Sequence, residues 1–175
     1  MALSSATALG GSTQESAARE FQIKAVFLFN FAQFVEWPPE SLPGPNEPFV
    51  IGILGADPFG PYLDETVRGE KVNDRSISIV RFARAEDIKT CHILYISRSE
   101  AGRLEQILSM LKGRSILTVS DVEQSGHAGG MIRFVTENNK VRLRIDNEAA
   151  KSVGLKISSK LLRPSQVVSL RRGAP

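Results

Sequence analysis

The chain has 175 residues, 42% of them hydrophobic and 23% charged, with a net charge of +3. That length and balance describe one domain with a sizeable core and exclude a chain too polar to fold. So mild a positive charge, without a dense basic stripe interleaved with aromatics, gives no ground for a nucleic-acid partner.

Residues 1–20, MALSSATALGGSTQESAARE, are small and polar and hold no long apolar segment. An initiator Met joined to ALSSATALGG reads as a start placed after a removed export signal. Residues 1–14 are expected to be disordered, ahead of a single domain over 15–172. From Phe21 to Trp37 the chain reads FQIKAVFLFNFAQFVEW, with five of the nine Phe between Phe21 and Phe34. This predicts a helix stopped at Pro38-Pro39, because Pro lacks the backbone donor and pushes its predecessor out of the α region. Lys24, Asn30, Gln33 and Glu36 interrupt it, so it falls short of the roughly 20 apolar residues that cross a bilayer. It packs as a core helix and leaves room for an exposed aromatic edge.

Phe49 to Leu54 (FVIGIL) reads as a buried strand. Asp57 is then a fitting N-cap and Pro58 a fitting first residue for a helix that ends near Gly69. Ser76 to Phe82 alternates as a second strand, and Glu86 to Lys89 suits a short helix. Cys91 to Ile96 (CHILYI) is a third strand, followed by a helix from Ser97 to Lys112. Ser99 can cap that helix, Leu104, Ile107, Leu108 and Leu111 line one side, and Gly113 stops it. Ser115 to Val119 is a fourth strand. Beyond the glycine loop GHAGG, Met131 to Thr136 and Val141 to Ile145 alternate around Glu137-Asn138-Asn139-Lys140 as a β-hairpin. Asn147 then caps a helix through Ser152, Gly154 breaks it, and a last helix runs to about Arg163. If residues 155–163 are helical, Lys156, Lys160 and Arg163 share one face. The fold class is α/β: one domain, a mostly parallel sheet with helices on both faces, and a C-terminal β-hairpin.

The loop GADPFG stands where a doubly wound fold binds phosphate, but it lacks G-x-G-x-x-G spacing and a Walker lysine, so it reads as a turn. The two histidines, His92 and His127, belong to no metal-ligand spacing, and no cofactor is expected. There is no G-x-S-x-G elbow. Cys91, the single cysteine, can form no internal disulfide and is placed for burial. His127, on its glycine loop, is a candidate contact for an anionic ligand.

FLFNFAQFVEWP, CHILYIS, GGMIRF and NEAAKSVGLKISSKLLR, in that order, resemble the YfiR-like family of exported bacterial proteins, over roughly Phe21 to Leu170. The closing run, Asn then small residues then Gly-Leu-x-Ile-Ser-Ser-x-Leu-Leu-Arg, is the most specific part. The resemblance implies a periplasmic, non-enzymatic domain that restrains a membrane-anchored diguanylate cyclase by binding its periplasmic sensor region. Cyclic di-GMP and biofilm formation would fall as a result. It also implies a homodimer and a small-molecule site near arginines and a histidine, onto which Arg163 is placed. The expected partner contact is the aromatic patch Phe27, Phe31, Phe34 and Trp37, with Trp37 open to either a core or an interface place. The alternative reading is a small-ligand sensor or nucleotide-binding domain using GADPFG, or GHAGG with Arg163.

Overall fold

A computed structural model describes residues 11–42, 44–123 and 129–163. The first helix, α1, runs Gly11–Phe34, so its first turn begins within the stretch expected to be disordered. It also ends earlier than the two prolines require. Val35–Glu36 turn extended as β1 and pair antiparallel with β9, Lys156–Ile157. Ser158 N closes the junction onto the Phe34 carbonyl at 2.9 Å.

The sheet is built from β2 (Phe49–Leu54), β3 (Lys71–Val72), β4 (Arg75–Phe82), β5 (Ile93–Ile96), β6 (Leu117–Ser120), β7 (Ile132–Glu137) and β8 (Lys140–Ile145). Their order is β3-β4-β2-β5-β6-β7-β8. The five inner strands run parallel, and each edge strand is joined antiparallel by a tight turn. The domain is therefore α/β with a mixed, mostly parallel sheet. Alternation along the strands makes two cores. Ile51, Ile53, Ile93, Tyr95, Leu117 and Val119 face α1 and α2 (Pro61–Val67). Leu54, Leu94 and Ile96 face α3 (Leu104–Met110) through Leu104 and Ile107.

Four local expectations need correction. Asp57 and Pro58 do not open a helix. Gly60 (φ 55) is the N-cap and Pro61 takes the first position, while the Asp57 carboxylate accepts from Phe59 N at 2.8 Å and from Arg81 Nε at 2.7 Å. The helix after β5 begins as a 3-10 turn, Arg98–Arg103, capped by Ser97 rather than Ser99, and only Leu104–Met110 is α-helical. Gly102 within that turn lowers the helical propensity. Finally, α4 (Asn147–Ser152) is capped by the Asp146 side chain, which accepts from Ala149 N at 3.0 Å. No helix follows it over 155–163. Gly154 (φ 82) reverses the chain, and Leu155, Lys156 and Ile157 alternate buried, exposed, buried to form β9. Lys156, Lys160 and Arg163 therefore share no helix face.

Candidate interaction surface

On α1 the buried residues Ala25, Leu28, Phe31 and Ala32 mark the face toward the sheet. Ile23, Val26, Phe27, Asn30 and Phe34 follow i, i+3, i+4, i+7 and i+11, so they share another side of the helix. Ile23 and Val26 are 40% and 48% exposed, while Phe27 and Phe34 are half-buried. An open groove of about 670 Å³ lies alongside, between Glu20 and Ile23 of α1 and Thr136 and Val141 of the hairpin.

Two members of the expected patch are corrected by burial. Phe31 has no exposed surface, and its ring stacks with those of Phe27 and Phe134. Trp37 is 8% exposed. Its ring meets Phe49 edge to face at 5.0 Å, and its Nε1 donates to the His92 carbonyl at 3.2 Å. A large ring whose polar tip has found a partner inside the domain is a core residue. Phe27 and Phe34 stay on the surface side, Phe34 beneath Lys160 Nζ at 5.4 Å from the ring centroid. Arg163 is exposed at the end of a described segment, and His127 lies outside the described residues.

The helix is tied to the carboxyl end of the sheet by ions that the sequence disguised. Lys24, an apparent interruption of the apolar run, is wholly buried. It pairs with Glu20 one turn away and with Asp121, just past β6, at 3.1 Å. Arg98 joins through Nε, 3.2 Å from Asp121. Burial alone would raise the Glu20 carboxyl, but the hydrogen bond and charge of Lys24, with Thr136 and Arg98, hold it below its usual range. Burial pushes the neighbouring Tyr95 phenol up, and Asp121 adds to that. The i, i+4 pair Glu20-Lys24 was the one visible hint. Its partner, 97 residues away, was not readable.

The loop after β2 is closed by the protein itself. In an open sheet of this winding, a ligand enters outside the carboxyl ends of the first and third parallel strands. Here these are β2 and β5. Gly55 has φ 89, and a Cβ on it would lie 2.4 Å from Ser99 Oγ and 2.8 Å from Glu100 Cγ. Ser99 Oγ accepts from Ala56 N at 3.0 Å, and the buried Glu100 pairs with Arg103. The backbone donors that could have cradled a phosphate meet side chains instead. Cys91 is buried and its thiol pushed up to about 12 by desolvation. Among the described residues, no group of three His, Cys, Asp or Glu could hold a metal ion, and no helix is long and apolar enough to cross a membrane.

These features define a small α/β domain with an open apolar strip on α1 and a crevice after β2 that is closed by its own side chains. The model of the YfiR/HmsC-like family matches residues 21–166, and the chain belongs to that family. Proteins of the family are periplasmic and non-catalytic, which places this chain in the periplasm as a regulatory, non-enzymatic protein. Members interact with membrane diguanylate cyclases. No curated protein matches the chain.

Proposed function

We propose that this protein restrains an inner-membrane diguanylate cyclase by binding its periplasmic region, so that cyclic di-GMP and biofilm formation fall. The observation that carries this reading is the strip Ile23, Val26, Phe27 and Phe34 on α1. It is apolar surface left open on a helix whose buried face is Ala25, Leu28, Phe31 and Ala32. Such strips on amphipathic helices dock into grooves through a few spaced anchors, and Phe contributes a large buried area at each contact. Restraint then follows from differential affinity. A protein that binds the inactive sensor more tightly than the active one shifts the population toward the inactive state. Nothing in that scheme needs bond-making groups. The homodimer is proposed with it, and sedimentation of the purified chain tests that part.

The function is tested in membranes containing the cyclase, by measuring cyclic di-GMP synthesis with and without the added protein. Wild type lowers the output. Val26→Asp combined with Ile23→Asp leaves it high while the domain stays folded. Equal repression by the folded double variant removes this surface from the account.

A further inference from the structure

The face of the β7–β8 hairpin turned away from α1 is strongly cationic. Ile132, Phe134, Leu143 and Ile145 point into the core. The alternate positions are Arg133, Val135 and Glu137 on β7 and Lys140, Arg142 and Arg144 on β8. The register places Arg133 directly opposite Arg144, and like charges so placed destabilise a ladder. Glu137 stands 3.5 Å from Arg144 and 3.9 Å from Arg142. Those are ion-pair separations, too long for the two parallel bonds that match a guanidinium fork to an oxyanion. Arg144 Nε is sealed from water and makes no hydrogen bond among the described residues, an unmet buried donor of the kind that proteins rarely leave without a partner. Glu123 also acts on Arg133, and among the described residues Glu137 is the acid paired with Arg142 and Arg144.

We propose that Arg133 and Arg144, with Arg142 beside them, seat a phosphate-type oxyanion carried by a small molecule. A tetrahedral anion can bridge guanidiniums from two adjacent strands, whereas a carboxylate fills a single fork. The side chains are recessed: Arg144 is 28% exposed, and a Cβ on Gly129 would come within 3.0 Å of Arg133 Cδ. A compact anion can settle against groups that lie along the sheet, while a bilayer surface engages charges that protrude from it. This seat lies across the sheet from the α1 strip and does not depend on it.

The test follows the arginine Nε–H NMR signals of the whole chain during titration with inorganic phosphate, against sodium chloride at matched ionic strength. The expected result is a saturable, one-to-one displacement of the Arg144 and Arg133 signals. Arg144→Gln weakens binding at least tenfold, and so does Arg144→Lys, which keeps the charge and loses the fork. Arg68→Gln, at the far side of the sheet, titrates as wild type. A drift that chloride reproduces, or an unchanged titration in Arg144→Lys, overturns the proposal. Association with phosphatidylglycerol vesicles in the absence of any response to inorganic phosphate overturns it equally. If Arg144→Gln does not fold, the wild-type titration and the lysine variant still decide.

Discussion

Lys24 is a wholly buried cation held between two carboxylates. A buried ammonium is tolerated because Glu20 and Asp121 both reach it; breaking such a buried pair costs about 3–5 kcal/mol, eased here because Arg98 still reaches Asp121. Lys24→Ala should therefore lower the urea midpoint severely. Adding Asp121→Asn in the same chain should restore part of the loss. Gly55 is the second fixed point. With φ 89 and Ser99 Oγ 2.4 Å from where a Cβ would stand, Gly55→Ala combines backbone strain with a clash. A loss of about 1–3 kcal/mol is expected for the strained conformation alone, read as a lower thermal midpoint. An alanine variant as stable as wild type would mean that the β2 loop is not packed as described.

At the scale of elements, the inner strands and the reversal at the hairpin were legible because alternation and turn chemistry are local. Asn138 and Asn139 take φ 50 and 59, the left-handed pair that a two-residue hairpin needs. Asn139→Val should accordingly cost about 1–2 kcal/mol, measurable by urea unfolding. The strand β3 was not legible. It is two residues long, and its pairing across Asn73-Asp74 (φ 48 and 65) offers no period to read. The segment after α4 was misread for a related reason. Two residues of β9 pair with two residues of β1 from the opposite end of the chain, and no local pattern announces a long-range ladder so short. That ladder also explains why α1 stops at Phe34. As for the patch, a run rich in Phe identifies a greasy helix but not which rings face inward. Three and four residues separate neighbours on one side, and Phe31 falls on the packed side while Phe27 and Phe34 flank it. Ile23 and Val26 are the most exposed members of the strip, and nothing in the run distinguishes an aliphatic residue that faces outward from one that faces the core. Phe31→Ala should cost about 3–5 kcal/mol and unfold the domain before it informs on binding. Val26→Asp should leave the thermal midpoint nearly unchanged.

For the molecule as a whole, acid is the condition that should loosen the fold. His92 is buried, stacks on Phe49 at 4.6 Å, and its Nδ1 accepts from Val50 N at 2.9 Å, an arrangement that needs the neutral ring. Burial pushes its imidazole below the ordinary value of 6.5. The unfolded chain therefore takes up this proton first as pH falls. The contribution to stability is full above about 6.5 and is lost as pH drops toward the folded value. Glu20, held below its ordinary 4.5, adds a second loss in the same direction at lower pH. The urea midpoint should fall in two stages on acidification, and His92→Asn, which keeps an acceptor for Val50 N, should remove the first.

The gripping surface on α1 belongs to a domain whose crevice after β2 is filled by its own side chains. The direct measurement is a binding isotherm between the purified chain and the periplasmic region of the cyclase. It is run for wild type and for the Ile23→Asp, Val26→Asp double variant, with unfolding curves recorded on the same samples. If α1 is the contact, the variant unfolds like wild type and binds at least thirtyfold more weakly, the equivalent of about 2 kcal/mol for a binding hot spot. A well-folded variant that binds with undiminished affinity contradicts it.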